Sequence, residues 1–372
     1  MPAGLPLAAE QINTDLARRQ QGYGSGGRMK IEKDEVSLTS GVVRGETTGA
    51  PIAITVLNKD WKNWAEKAIE PMTKPRPGHA DLTGAIKYGY QDLRLGLERS
   101  SARETTMRVA VGSIAKTLMA AFGIQILGYV VNIGGIGADI PNDLPYEERF
   151  RRAEYESPVR CPDPAASEKI EALIRQTMLD KDTLGGIVEV AVLGLPPGLG
   201  SHVHYDRRLT GQLLAAMGSI QSVKGAEVGP AYDNAQKRGT QVHDQMQLGP
   251  DGQIQRLSNR AGGLEGGMTT GEPLIVRAFM KPISTTLSPL QSVDLATGEA
   301  SPTVYERSDF CATPRAVPIM ESVIAFVMAN ALLEKLGGDS IGEMRPRYEA
   351  LRRSRPDALP MWNETWQFEY QV

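Results

Sequence analysis

Apolar and polar positions alternate along the chain in two periods, and these predict its elements. From Ile12 to Gln20, Ile12 and Leu16 share one face at helical spacing. Pro51 to Leu57, Gly186 to Leu195 and Leu274 to Met280 are short, apolar and rich in β-branched residues, which predicts strands. Ser101-Ala-Arg-Glu104 has capping-box spacing and predicts the opening of a long helix. Met107, Val111, Ile114 and Leu118 then follow the helical period as its apolar face, and Gly123 closes it. Pro314 predicts the start of a second long helix, running to Gly337-Gly338. Within it, Ala316 to Leu336 is the most apolar stretch of the chain. Glu321, Asn330, Glu334 and Lys335 interrupt it, so the pattern predicts a buried helix and not a membrane span. The alternation of helices and strands predicts an α/β or layered α+β class.

A weak internal repeat runs through this pattern. Arg44-Gly-Glu-Thr-Thr-Gly-Ala-Pro-Ile-Ala-Ile reads like Glu265-Gly-Gly-Met-Thr-Thr-Gly-Glu-Pro-Leu-Ile-Val. Pro2-Ala-Gly-Leu and Pro197-Gly-Leu-Gly lie upstream of the two, each followed by a helix-like segment with paired arginines, Arg18-Arg19 and Arg207-Arg208. A period this long fits a duplicated unit better than a solenoid. The expected organisation is one domain over residues 1–372, built from two similar, interleaved halves.

Composition narrows the function classes. Of 372 residues, 41% are hydrophobic and 23% charged, ordinary for a globular enzyme, and the net charge of −3 argues against nucleic acid or an anionic membrane as partner. A charged ligand has to be caught by a local arginine cluster. Two cysteines distant in sequence, Cys161 and Cys311, make no disulfide framework and fit a reducing cytoplasm. The start, Met-Pro-Ala-Gly-Leu-Pro-Leu, has no signal-peptide pattern. His202 and His204 alternate but read as exposed positions, and no metal site is expected.

Five constellations carry chemistry. In Arg76-Pro-Gly-His79-Ala-Asp81 a turn presents an imidazole, the natural proton carrier near neutral pH, beside a carboxylate that can hold its tautomer. Arg99-Ser-Ser-Ala-Arg-Glu-Thr105 puts free N–H groups, hydroxyls and arginines at a helix start, a setting for phosphate or carboxylate. Arg307-Ser-Asp309 precedes the second long helix and by itself reads as a solvated charge pair. Gly262 to Gly271 is too glycine-rich for an ordinary loop but lacks Walker or dinucleotide spacing. Lys281-Pro-Ile-Ser-Thr-Thr286 sets a lysine and hydroxyls at a strand end. The residues alone point to a small, multiply charged, phosphorylated ligand.

These motifs, with Arg18-Arg-Gln-Gln-Gly-Tyr-Gly, Ser222-Val-Lys-Gly-Ala-Glu-Val-Gly and Met280-Lys-Pro, resemble the chorismate synthase family, in the family's order and across essentially the whole chain. The resemblance implies a layered β-α-β sandwich of the α+β class, not a Rossmann domain, and a homotetramer. It implies the last step of the shikimate pathway, a trans-1,4-elimination of phosphate from 5-enolpyruvylshikimate 3-phosphate that uses reduced FMN without net redox change. His79 resembles the histidine that protonates the reduced flavin, and Asp309 the aspartate near flavin N5 that assists removal of the ring proton. Arg103 completes the implied catalytic set. Arg19, Arg28, Arg76, Arg103 and Arg307 resemble the ligands of the substrate's anionic groups. Ser100, Ser101, Ala102 and Arg103 line the place where flavin and substrate meet. Gln221, Ser222, Gly266, Lys281 and Thr285 resemble further flavin contacts, with His79, Arg307 and Asp309.

The sequence departs from the family pattern twice. The family's opening strand and its Gly-Glu-Ser-His-Gly motif are not found, and Ser25 stands in Gly22-Tyr-Gly-Ser-Gly where an arginine is usual. The expectation is a chain that binds FMN and substrate but turns over poorly. Two alternatives stay open: a flavin-binding member with impaired catalysis, and a bifunctional enzyme with NADPH-dependent flavin reductase activity, whose flavin is otherwise reduced by an external partner.

Overall fold

The computed structural model describes residues 1–25, 33–306 and 308–368. Its centre is a five-stranded antiparallel sheet in the order Ile136–Gly137, Gln125–Ile133, Gly186–Leu193, Leu274–Met280 and Val223–Val228. Val130, Val188 and Val276 are fully or almost fully buried and belong to one apolar cluster with the long helices, as the β-branched pattern requires. The expected strand Leu274–Met280 forms as read. The one expected to reach Leu195 stops at Leu193, where Gly194 turns the chain at φ +78°.

The helices Thr105–Ala120 and Thr313–Leu336 pack against each other, and the second also lies on strands Gln125–Ile133 and Gly186–Leu193. Ala9–Gln20 packs on both helices and on strand Val36–Ser40, which pairs with Ala53–Val56. The helices are thus layered between a large sheet and a small one, an α+β arrangement.

Thr313–Leu336 is long and apolar enough to cross a membrane, but most of it is buried in the protein, as its interrupting polar residues predict. Close approach is bought with glycine at two points. A Cβ on Gly112 would overlap Ser322, and one on Gly128 would sit 2.8 Å from Val317 Cγ1. Pro318 lies inside this helix and has no N–H for the Pro314 carbonyl one turn back. Arg160 fills the gap: its Nη1 donates to the Pro314 carbonyl at 2.6 Å and its Nη2 to the Arg18 carbonyl at 2.8 Å. One guanidinium therefore joins the end of Ala9–Gln20 to the start of Thr313–Leu336.

The first long helix differs from expectation. Ser101 Oγ accepts from Arg103 N at 3.2 Å and caps a single 3₁₀ turn, Ala102–Glu104, so the α-helix begins only at Thr105. Glu104 makes no capping box, because its carboxylate is engaged by Arg108 and Gln221. Met107 and Val111 are exposed. The buried face instead combines Ile114 and Leu118 with Val109, Ala110, Ala115 and Met119. The paired arginines also differ in setting: Arg18 and Arg19 end a helix, whereas Arg207 and Arg208 precede Leu209–Gly218. His202 and His204 are exposed on a loop.

Two turns far apart in sequence are held alike. Thr47 Oγ1 accepts from Leu5 N at 3.0 Å and donates to the Pro2 carbonyl at 2.5 Å. Thr269 Oγ1 accepts from Leu199 N at 2.8 Å and donates to the Pro196 carbonyl at 2.7 Å.

Candidate active site

A cavity of about 1310 Å³ opens where the two long helices begin, and most of the expected site residues line it. His79 is presented by the turn that Gly78 makes at φ +74°, just before the helix Asp81–Tyr88. The His79 Nδ1 lies 2.5 Å from Asp81 Oδ1; a carboxylate only accepts here, so the proton is on Nδ1, and Nε2 is an acceptor with Arg76 Nη2 at 3.4 Å. Arg76 Nε donates to Asp81 Oδ2 at 2.8 Å, and Arg76 Nη1 to Thr285 Oγ1 at 3.0 Å. Burial alone would raise the Asp81 carboxyl, but the bonds from His79 and Arg76 hold it well below the usual carboxylate range. Lys281 Nζ donates to the Gly78 carbonyl, so segments 76–81 and 281–285 form one wall.

The second wall is the Ser100–Thr105 segment. Arg19, buried at the end of its helix, donates to Thr105 Oγ1 and to the Ala102 carbonyl, each at 3.0 Å. Asp34 bridges Arg103 Nη1 at 2.5 Å and Arg19 Nη1 at 3.4 Å. Burial, then the neighbouring Arg315 charge, brings Arg19 down to about 10, with Asp34 opposing both. Asp34 escaped the sequence reading because it sits among Lys33, Glu35 and other charged residues that read as a solvated run.

Asp309 lies before the second long helix and is bound by Arg315, whose Nε also donates to the Arg19 carbonyl at 3.1 Å. Gly22 permits this: a Cβ there would meet Arg315 Cγ at 2.8 Å. The Gly24 carbonyl accepts from Phe310 N at 2.9 Å and anchors the same segment. Arg315 too was missed, since nothing local distinguishes it from any first-turn arginine. Gln221 and Ser222 complete the cavity wall, Gln221 Nε2 donating to Glu104 Oε2 at 3.1 Å and Ser222 sitting at φ +70°.

The structure thus brings together His79, Asp309, Arg19, Arg76, Arg103, Ser100, Ser101, Ala102, Gln221, Ser222, Lys281 and Thr285. Gly266 is not on the cavity wall; it occupies the tip of a hairpin next to His202. Its positive φ serves a hairpin turn. Arg28 and Arg307 lie outside the described residues.

The family model for chorismate synthase matches residues 1–333. A chorismate synthase of Trichlorobacter lovleyi is 52% identical over 361 residues, covering 93% of this chain and 92% of that one. One of Chlorobaculum tepidum is 50% identical over 367 residues, covering 95% and 92%. A crystal structure of chorismate synthase, 38% identical, superposes with a TM-score of 0.76 over 94% of this chain and 90% of that one. With its fold, its cavity and its sequence in accord, the chain belongs to the chorismate synthase family.

Proposed function

We propose that this cavity eliminates phosphate from 5-enolpyruvylshikimate 3-phosphate to give chorismate, with reduced FMN as cofactor. The observation that carries the reading is the convergence of His79, Asp309 and several cations on one cavity, in a chain 52% identical to a chorismate synthase. The residues present fit a flavin. One small ligand fills about 300–1,000 Å³, and the cavity of about 1310 Å³ exceeds this, leaving room for substrate and flavin together. Gln221 Oε1 is buried on its wall without a partner, as expected where a ligand donor completes it.

The substrate loses a ring proton and phosphate; the C–H electron pair enters the new diene and the C–O pair leaves with phosphate. Reduced FMN, when bound, supplies electron density to the substrate and recovers it. Asp309, held by Arg315, assists removal of the ring proton. His79 holds a proton at the cavity, its ring fixed by Asp81. Arg19, Arg76, Arg103 and Lys281 offset the two carboxylates and the phosphate, a role the family pattern extends to Arg28 and Arg307. Ser100, Ser101, Ala102, Ser222 and Thr285 shape the wall between the two ligands.

An anaerobic assay tests the reading: phosphate and chorismate are followed with chemically reduced FMN, then with NADPH and FMN. Product in the first arm supports it, and none there rejects it in favour of an impaired flavin-binding member. Product in both arms makes the enzyme its own flavin reductase; product in the first alone assigns that task to an external partner. We further propose a cytoplasmic homotetramer, which a stable monomer in light scattering would contradict. We also propose one domain of two similar halves, supported by the like hydrogen bonding of Thr47 and Thr269.

A further inference from the structure

Most charged groups on the cavity wall are satisfied by the protein itself. Arg76 is committed to Asp81 and Thr285, Arg19 to Thr105 and the Ala102 carbonyl, Arg103 to Asp34 and the Leu57 carbonyl. Arg94 is different. It opens the helix Arg94–Ser100 on the same wall, and its Nε is closed to solvent without any hydrogen-bond acceptor. Its nearest carboxylate in sequence is already engaged, because Asp92 Oδ1 accepts from Met72 N at 3.0 Å and from Arg94 N at 2.9 Å. Those bonds, with Leu93 N donating to the Met72 carbonyl at 2.9 Å, fix the backbone from which Arg94 reaches the cavity.

Arg94 is half-exposed as a whole, so its charge stays open to the cavity while its Nε lacks an acceptor, an arrangement a ligand can complete. The Thr106 hydroxyl is buried on the same cavity's wall, also without a partner. A guanidinium fork on such a wall matches the oxygens of a phosphate ester better than any neutral group. We propose that Arg94 is a direct ligand of a phosphate monoester in this cavity. Two phosphates are available, that of the flavin and that of the substrate. The identity of the ligand rests on the chorismate synthase reading; the binding measurement does not require turnover.

The test uses the full chain and its Arg94→Gln and Arg94→Lys variants. Dissociation constants are measured by flavin fluorescence for FMN and for riboflavin, which lacks the phosphate, and by calorimetry for the substrate with oxidised FMN present. If the phosphate is the flavin's, Arg94→Gln weakens FMN roughly tenfold or more and leaves riboflavin unchanged. If it is the substrate's, both flavins bind as before and substrate weakens by a similar factor. In either case Arg94→Lys recovers part of the affinity, and the ligand-free melting temperature of Arg94→Gln is unchanged or raised, because the guanidinium makes no hydrogen bond within the protein that the variant would lose. Unchanged affinity for FMN and substrate in Arg94→Gln overturns the proposal, as does a lowered ligand-free melting temperature in both variants, which marks a structural arginine. A wild-type chain that binds FMN more tightly than riboflavin through Arg94 but releases no chorismate would reject the catalytic reading and leave this one standing.

Discussion

His79 and Asp81 are two residues apart and 2.5 Å apart, Nδ1 to Oδ1, with the carboxylate buried under Arg76. The pair gives His79 one tautomer and one orientation, which a general acid–base residue needs before its pKa matters. His79→Ala is expected to leave FMN bound and to lower kcat roughly 10²-fold or more. Asp81→Asn is expected to lower kcat by a similar order, because the amide can donate to the ring and favour the wrong tautomer. Stopped-flow measurement with reduced FMN checks both; a wild-type rate in His79→Ala removes it from the mechanism.

Arg315 holds Asp309 and the Arg19 carbonyl in one grip, and it is a positioning residue. Arg315→Ala is expected to lower kcat with little change in FMN affinity or in KM for the substrate, since Asp309 loses the contact that orients it. Arg315→Lys should restore part of the rate. A change in stability alone, with kcat intact, would reduce Arg315 to a helix anchor.

Glu321 is fully buried and accepts from Lys116 Nζ at 2.6 Å, Arg18 Nη1 at 2.7 Å and Gly128 N at 3.0 Å. Burial alone would raise its carboxyl, but the Arg18 and Lys116 charges hold it down to about 2. A depressed carboxyl contributes stability that is complete above its unfolded value and lost as pH falls through the folded one. Unfolding free energy from urea titration should therefore decline from about pH 4.5 toward pH 2 through this group. Glu321→Ala leaves the Gly128 N–H unpaired and Arg18 and Lys116 with only Asp15 and Glu154, and is expected to cost about 1–3 kcal/mol at neutral pH. An acid-insensitive wild type would show the network to be unimportant.

Thr47 and Thr269 offer a matched pair. Each hydroxyl satisfies a backbone N–H and a carbonyl in a buried turn. Thr47→Val and Thr269→Val should each cost about 1–3 kcal/mol by leaving those groups unpaired. Denaturant unfolding of the two variants checks this. Costs that differ severalfold would count against two halves built alike.

What could be read from the linear chain was whatever local spacing controls. The strand Leu274–Met280 follows from β-branched residues, the helix Thr313–Leu336 from a long, mostly apolar run behind Pro314, and the His79 turn from Pro77 and Gly78. The motifs also named most of the cavity wall, because each is a short segment whose own geometry presents its side chains. Tertiary structure decided the rest. Met107 and Val111 carry the right period, yet they stay exposed while Ile114 and Leu118 on the same stripe are buried, and Met107 lines the cavity. Asp34, Arg94 and Arg315 look like ordinary surface charges in sequence, and Gly266 looks like a ligand loop. Asp34 meets Arg103 and Arg315 meets Arg19, partners dozens to hundreds of residues away, and Gly266 lies at a hairpin tip next to His202. Charge, burial and the satisfaction of polar groups are properties of the packed neighbourhood, and that neighbourhood exists only once the helices have closed on the sheet.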